Sequence, residues 1–512
     1  MGKKQYVIGI DIGTTTTKGC VVTAEGTMLS QFTCEHGVER PYDGWAEQDA
    51  ESVWWLEFCK VCSTLLLDSG IDPSEIAGIG CSALYPVVLP MDAYGRPLRK
   101  AILYGIDSRA VDELEGLKKT FGIERAAQAS GNYLSTQSIA PKIVWIRKQE
   151  PELFERASKF IGANSYIVHK LTGKYAVDTG TASIGGIPYD VATGTWNEDV
   201  CKQIGIGLTQ LPSIVSPSQI VGVVQEGEVS ELTGLIPGTP VIMGTGDFIA
   251  EMMSMGAIRA NQAVLTYGTT IGFAILTNKP VMSESLIYVK APFENLHILG
   301  GGLANGASLL KWFKEELCGE NVGGEKAKLI YDLLDEQADT IVPGCEGLLA
   351  LPYFSGERNP FTDPGASGML IGLTLRHTKS HMYRALYEAI GFSIRSVLDV
   401  VKGKGFPVDE ILSVGGATKN KTLLRIVSEI TGIRQRIIKN QLGAHYGIAF
   451  MTACGTGLVK DACAIDTWIG ELSTEIVNFD KSNKRIYNSI YEKYIVAYQK
   501  NADLMHALKA IH

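Results

Sequence analysis

A two-lobed α/β protein is the fold class that the sequence predicts, and three observations carry it. The chain is 512 residues long. That exceeds the size at which one hydrophobic core keeps growing, so two lobes of roughly 250 residues each are expected. A strand–turn–strand pattern with a Gly-Thr-Thr tip occurs at Gly13 and again at Gly268, half a chain away. Between and after these strands lie stretches whose apolar residues repeat at helical spacing.

The first strand is read in YVIGIDI, Tyr6–Ile12, with a turn over Gly13–Thr16 and a returning strand over Gly19–Val22. A helix is predicted over Glu51–Leu67, which holds Cys59 and Cys62, the chain's CxxC spacing. Ten cysteines spread along the whole length do not form a disulfide or zinc pattern, so these two are read as ordinary helix positions. AVLTYGTTIGFAIL repeats the strand–turn–strand motif around Gly268, Thr269 and Thr270, and an echo at this distance suggests two lobes of related architecture. Further helices are predicted over Gly306–Leu317 and Ser380–Lys402. The strand Leu412–Gly416 runs through glycines into a helix containing Leu423, Leu424, Ile426, Val427 and Ile430.

Composition excludes several classes of function. Hydrophobic residues make up 45% and charged residues 20%, which argues against disorder. A net charge of −8 offers no global attraction to nucleic acid or to an anionic membrane, so neither partner is expected. No run of about 18 apolar residues is present and the N-terminus lacks a signal-peptide core, so a cytoplasmic location and a small-molecule partner are expected.

Three motifs carry chemistry. A turn rich in Gly and Thr can surround phosphoryl oxygens with N–H and O–H donors, while the preceding Asp11 can hold Mg²⁺ directly or through water. A surface Thr-rich turn is the structural alternative. Nothing matches the common P-loop pattern. In GTPVIMGTGDFIAEMMSMGAI, Asp247 follows an apolar strand and opens a helical segment. It is either a helix cap or a general base that accepts a hydroxyl proton during attack on a γ-phosphoryl group. The glycine-rich joint at Gly416 suits a nucleotide contact, because small residues let backbone N–H groups approach a ligand.

These residues, with DGWAEQD, IDSRA, GTGDFIA, YGTT, PYFSGERNPFTDPGASG, GLTLRHTKSHMYRALYEAIGF and VGGATKN, resemble the FGGY family of sugar kinases nearly end to end. The resemblance implies two ribonuclease-H-like domains of the actin and hexokinase type with an interdomain cleft. It assigns residues 1–256 to a sugar-binding domain and 257–512 to a nucleotide-binding domain, with ATP and Mg²⁺ as cofactors. Asp11 matches the metal-associated aspartate and Asp247 the catalytic base. Gly13, Thr14, Thr15, Thr16 and Lys18 match the first phosphate loop, and Gly268, Thr269 and Thr270 the second. Gly306, Gly416, Ala417 and Asn420 match loops that contact the nucleotide.

For the sugar, the resemblance places Cys81, Ser82 and Ala83 in a substrate-facing loop, with Asp107 and Arg109 near the substrate; an exposed ion pair is the alternative for the latter two. Trp45, Glu47 and Gln48 either shape the substrate side or simply fold the first lobe. Xylulose kinases of the family often carry Gln-Met-His-Gly where this chain reads GCSALYP, and the family usually has a Trp where this chain has Gly105. Glu357 and Arg358 are read as structural, and His377, His381 and His445 as non-ligands. The reaction implied is transfer of the γ-phosphoryl group of ATP to a ketopentose such as xylulose or ribulose. A sugar acid of the gluconate type is the nearest alternative, with a polyol beside it. A chaperone-like ATPase and a silent sugar sensor are the alternatives of another class. Family members are often dimeric, so a homodimer is one expectation.

Overall fold

The computed structural model describes residues 4–293, 295–318, 325–439, 441–470 and 474–511. The chain forms two compact units. The first comprises residues 1–258, 278–298 and 441–471, and the second residues 259–277, 299–440 and 472–512. The sequence reading divides the chain once, at 256/257; the compact units instead give two later segments to the first half. Both segments pack there through contacts between residues more than a hundred positions apart, Tyr288 with Asn132 and His445 with Cys20 among them, which linear pattern does not encode.

The first unit is built on a mixed sheet. Its strands are β1 (Tyr6–Ile12), β2 (Thr16–Thr23), β3 (Met28–Glu35), β4 (Ile76–Ala83), β5 (Ile220–Val223), β6 (Pro240–Ile242) and β7 (Thr245–Gly246). They lie in the order β5–β6–β4–β1–β2–β3, with β7 paired to the end of β4. β1 and β2 form an antiparallel hairpin, and β4 runs parallel to β1. Val7, Ile8, Ile10 and Ile12 are all buried, because a central strand covered on both faces reads as a continuous apolar run. The helix Leu56–Ser69 lies against β2 and β3 and buries Phe58, Cys59, Val61, Cys62, Leu65 and Leu66. Its two cysteines are free and apolar in surroundings, as the spacing predicts.

Two glycines fix how helices cover this sheet. A Cβ on Gly9 of β1 would stand 2.1 Å from the His445 carbonyl oxygen, so the helix Ala444–Gly455 rests directly on the strand that carries Asp11. A Cβ on Gly447 of that helix would stand 1.8 Å from the Ala250 carbonyl oxygen. The helix Asp247–Ser254 therefore crosses it backbone to backbone. Three chemically loaded elements are locked together by two missing side chains.

The second unit repeats the plan. Strands β8 (Gln262–Tyr267), β9 (Ile271–Thr277), β10 (Glu410–Val414), β11 (Arg434–Ile438) and β12 (Thr474–Ile476) lie in the order β9–β8–β10–β11–β12. β8 and β9 form the antiparallel hairpin and β10 runs parallel to β8, the same relations that hold among β1, β2 and β4. The helix predicted over Ser380–Lys402 spans Lys379–Gly403 and packs on the helix Lys421–Thr431. The duplicated Gly-Thr-Thr hairpin is thus a duplicated two-domain α/β architecture. Among the described residues no helix is long and apolar enough to cross a membrane.

Candidate active site

Sheet register assembles the site in the first unit. Asp11 on β1 is paired with Lys18 on β2 and with Ser82 on β4, and Ser82 is paired in turn with Thr245 on β7. Asp247 follows two residues later, as the first residue of the helix Asp247–Ser254. Parallel strands that end together place their following residues at one edge, where open α/β sheets bind ligands. The cap of that helix is Gly246, so Asp247 is not the N-cap that its position allows; among the described residues its carboxylate accepts the next amide alone, Phe248 N–H, at 2.7 Å.

Asp11, Lys18, Asp247 and Glu251 line a cavity of about 480 Å³ together with Gln31, Phe248 and residues 441–445. Glu251 is one helical turn beyond Asp247, a spacing that puts both carboxylates on one face. Burial is the main force on all three acids. It pushes Asp11 up to about 7, aided by the Glu251 charge and opposed by the Ser82 hydrogen bond and by Lys18. It pushes Asp247 well above the usual carboxylate range, aided by Asp11 and Glu251 and opposed by the Phe248 amide. Glu251 is raised by burial as well, against the pull of Lys18. Acids with raised pKa gathered at one cavity mark it as the candidate site. Their hard oxygens suit Mg²⁺. Among the described residues no group of three or more His, Cys, Asp or Glu side chains converges tightly enough to hold an ion alone, so phosphate oxygens and water would complete its shell.

The surroundings hold these groups in place. Ser82 Oγ donates to Asp11 Oδ1 at 2.8 Å. Thr245 Oγ1 donates at 2.9 Å to Asp178, a fully buried carboxylate that also caps the helix Thr179–Ile184. In the first loop, Gly13 N–H donates to the Thr16 carbonyl at 2.9 Å and closes the turn. Thr14 Oγ1 meets the Tyr104 hydroxyl at 2.9 Å, and Gln48 Nε2 donates to the Thr14 carbonyl at 2.9 Å. The Thr15 side chain is exposed, and its carbonyl accepts the His36 N–H.

Cys81, Ser82 and Ala83 are not in a loop. Pairing with β1 on one side and β7 on the other carries strand β4 through Ala83. Cys81 and Ala83 are buried within it, and the Ser82 hydroxyl is directed to Asp11. Asp107 and Arg109 are an ion pair at 2.7 Å, but neither side chain is exposed. Asp107 also accepts the Ala46 N–H, and Arg109 bridges to Glu47 at 2.7 Å while its guanidinium lies 3.8 Å over the Trp45 ring. Their hydrogen bonds are spent inside the lobe, so the exposed-pair alternative is corrected by burial.

In the second unit the Gly268–Thr270 turn abuts the helix Ala307–Trp312 that follows Gly306. Ala307 N–H donates to the Gly268 carbonyl at 2.9 Å, and Ser308 N–H to the Thr269 carbonyl at 3.2 Å. Thr269 and Thr270 are exposed. Glu357 supports this corner by accepting the Ala304 N–H at 2.9 Å, in keeping with a structural role. β10 is parallel to β8, so Gly416 and Ala417 emerge at the same sheet edge as Gly268. Gly416 is exposed, with open space beside it. Asn420 caps the helix Lys421–Thr431 through Leu423 N–H, and its Nδ2 donates to both Asp335 oxygens at 2.9 Å.

Sequence reasoning did not single out Glu251 or residues 441–444, and it read His445 as a non-ligand; the structure puts all of them on one cavity. Glu251 had a signal, its i,i+4 spacing from Asp247. The 441–445 segment had only a Gly-Ala pair ahead of an apolar helix, and nothing in that pattern points to Asp11.

The family model described as FGGY family of carbohydrate kinases, N-terminal domain, matches residues 6–254, and its C-terminal counterpart matches residues 263–455. Gluconokinase of Bacillus licheniformis is 27% identical over 91% of this chain and 90% of its own length. Xylulose kinase of Bacillus subtilis is 26% identical over 99% of both chains. The crystal structure of xylulose kinase from Rhodospirillum rubrum superposes with a TM-score of 0.88 at 28% identity, covering 98% of this chain and 100% of that one.

Proposed function

The chain belongs to the FGGY family of carbohydrate kinases, and on that premise we propose that it transfers the γ-phosphoryl group of ATP to a hydroxyl of a ketopentose such as xylulose or ribulose. The observation that carries this reading is the meeting of Asp11, Asp247 and Lys18 around one cavity. Asp247 takes the proton of the acceptor hydroxyl as its oxygen forms a bond to the γ-phosphorus. The bond from that phosphorus to the bridging oxygen breaks, and ADP leaves. A carboxylate with a raised pKa is a better proton acceptor than an ordinary one, provided that it is ionised when the substrate arrives.

Asp11, held by Ser82, is the residue for Mg²⁺, which supplies neutralisation of charge on the phosphoryl oxygens. Gly13–Thr16 and Lys18 serve the phosphates in the first unit, and Gly268–Thr270, Gly306, Gly416, Ala417 and Asn420 serve the nucleotide in the second. The sugar is assigned to residues 1–256 and the nucleotide to residues 257–512. Ketopentoses are favoured because two of the similar proteins are named xylulose kinases.

A sugar acid of the gluconate type is the second reading. It is supported by Lys18, which lines the cavity with no carboxylate at ion-pair distance among the described residues, and by the similar gluconokinase. An ADP-release assay with ATP and Mg²⁺ against ketopentoses, aldoses, polyols and sugar acids separates the two. A ketopentose turned over by the native protein and not by Asp247→Asn is the expected result. Turnover of gluconate alone would replace the first reading with the second.

A further inference from the structure

His445 is the second residue of the helix Ala444–Gly455 and is 3% exposed. Both of its ring nitrogens are buried, with no hydrogen-bond partner among the described residues. The residue nevertheless lines the cavity that Asp11, Lys18 and Asp247 share. A buried imidazole with two idle nitrogens is costly, since native proteins pair nearly all such groups. Its surroundings offer a reason. The first amides of a helix have no acceptor within it, and the end carries a partial positive charge. Gly447 N–H and Tyr446 N–H both turn back to the Gly443 carbonyl, which leaves Ala444 N–H and His445 N–H at the end of the helix without a backbone acceptor among the described residues. Lys18 faces the same space, whereas the remaining charged lining residues are acids.

We propose that the start of the helix Ala444–Gly455, with the His445 side chain as a donor, is the seat for a terminal phosphate oxygen of the nucleotide. This rests on the kinase reading of the cavity. The Gly9 contact fixes the height of the seat above β1, because the His445 backbone touches the strand two residues before Asp11. The Cys20 thiol also donates to the His445 carbonyl, so the backbone under the ring is held from below. Burial and the Lys18 charge draw the imidazole down to about 4. It therefore enters as a neutral group with one N–H to give, suited to a phosphate oxygen and free of the cost of burying a further charge. The arrangement adds donors beside Lys18 in a pocket whose other charged groups, Asp11, Asp247 and Glu251, repel anions.

Calorimetric titration of AMP and of the β,γ-imido analogue of ATP, each with Mg²⁺, tests the assignment on the native protein, His445→Ala and His445→Asn. The expected result is a loss of about tenfold for the analogue in His445→Ala, little change for AMP, and partial recovery in His445→Asn, which keeps an N–H donor. Equal affinity for the analogue in all three proteins would overturn the proposal, as would an equal loss for AMP. Should neither variant fold, the imidazole nitrogen resonances of the eight histidines in the native protein decide. Response of the His445 ring to the analogue and not to AMP supports the seat; a response confined to other rings, such as His36, whose Nε2 meets the Gly13 carbonyl at 3.0 Å, overturns it. Failure of the kinase reading looks different: the analogue binds with its His445 dependence intact while no sugar is phosphorylated.

Discussion

Ser82 and Asp11 are register partners on adjacent parallel strands, and the Ser82 hydroxyl donates to Asp11 Oδ1 at 2.8 Å. The serine assigned to a sugar contact is thereby the residue that orients the carboxylate. Ser82→Ala should leave the sheet intact and free Asp11 to rotate. A hydrogen bond to a charged group is worth about 1.5–3 kcal/mol, so kcat/KM should fall by roughly tenfold or more with an unchanged far-ultraviolet spectrum. Steady-state kinetics at saturating Mg²⁺ check this, and an unaltered kcat/KM would count against it.

Asp247→Asn keeps the size of the side chain and removes the proton acceptor. Turnover should drop by about a hundredfold to ten-thousandfold, the usual range for loss of a general base. Stability at neutral pH should not fall, because burial and the Asp11 charge already disfavour the ionised form of Asp247. Kinetics and a melting curve on the same preparation separate the two effects.

The unliganded protein should lose stability as pH rises. Asp11 is held above its ordinary 3.8, at about 7, chiefly by burial. A group whose pKa is higher in the folded state stabilises the fold fully at low pH, and that contribution is lost as pH climbs through the folded value. Asp11→Asn removes this titration. The melting temperature of the variant should therefore gain on the native protein between about pH 4 and about pH 7, the unfolded and folded values, by a few degrees, roughly what 1 kcal/mol gives in a domain of this size. Parallel curves across that range would contradict the assignment.

In the second unit, Asn420→Ala removes a helix cap and the Nδ2 donor to both Asp335 oxygens, leaving the Tyr387 hydroxyl on a carboxyl that burial already raises. Loss of the cap alone costs about 1 kcal/mol. The variant should unfold at lower temperature and bind nucleotide more weakly. Asn420→Asp should retain the cap yet place a second carboxylate against Asp335, and so should bind nucleotide no better than the alanine variant. Melting curves and nucleotide titration read both, and native behaviour in either variant would rule out the role.

The sequence by itself determined the local elements and the chemistry they carry. The apolar run of Tyr6–Ile12, the Gly-Thr-Thr turns and the helical repeat of Lys379–Gly403 all follow from short-range periodicity, which encodes what a segment is and which face it buries. Asp11 and Asp247 were legible because each interrupts an apolar strand or follows one directly. Tertiary structure alone decided which segments meet. It turned Asp107 and Arg109 inward to brace Trp45 and Glu47, and it aimed Ser82 at Asp11. It also laid His445 over a strand more than four hundred residues earlier through the bare backbone of Gly9. Periodicity marks a surface as apolar without naming its partner. Close packing across Gly9 and Gly447 is a property of two surfaces together, and the cavity chemistry exists only where those surfaces have met.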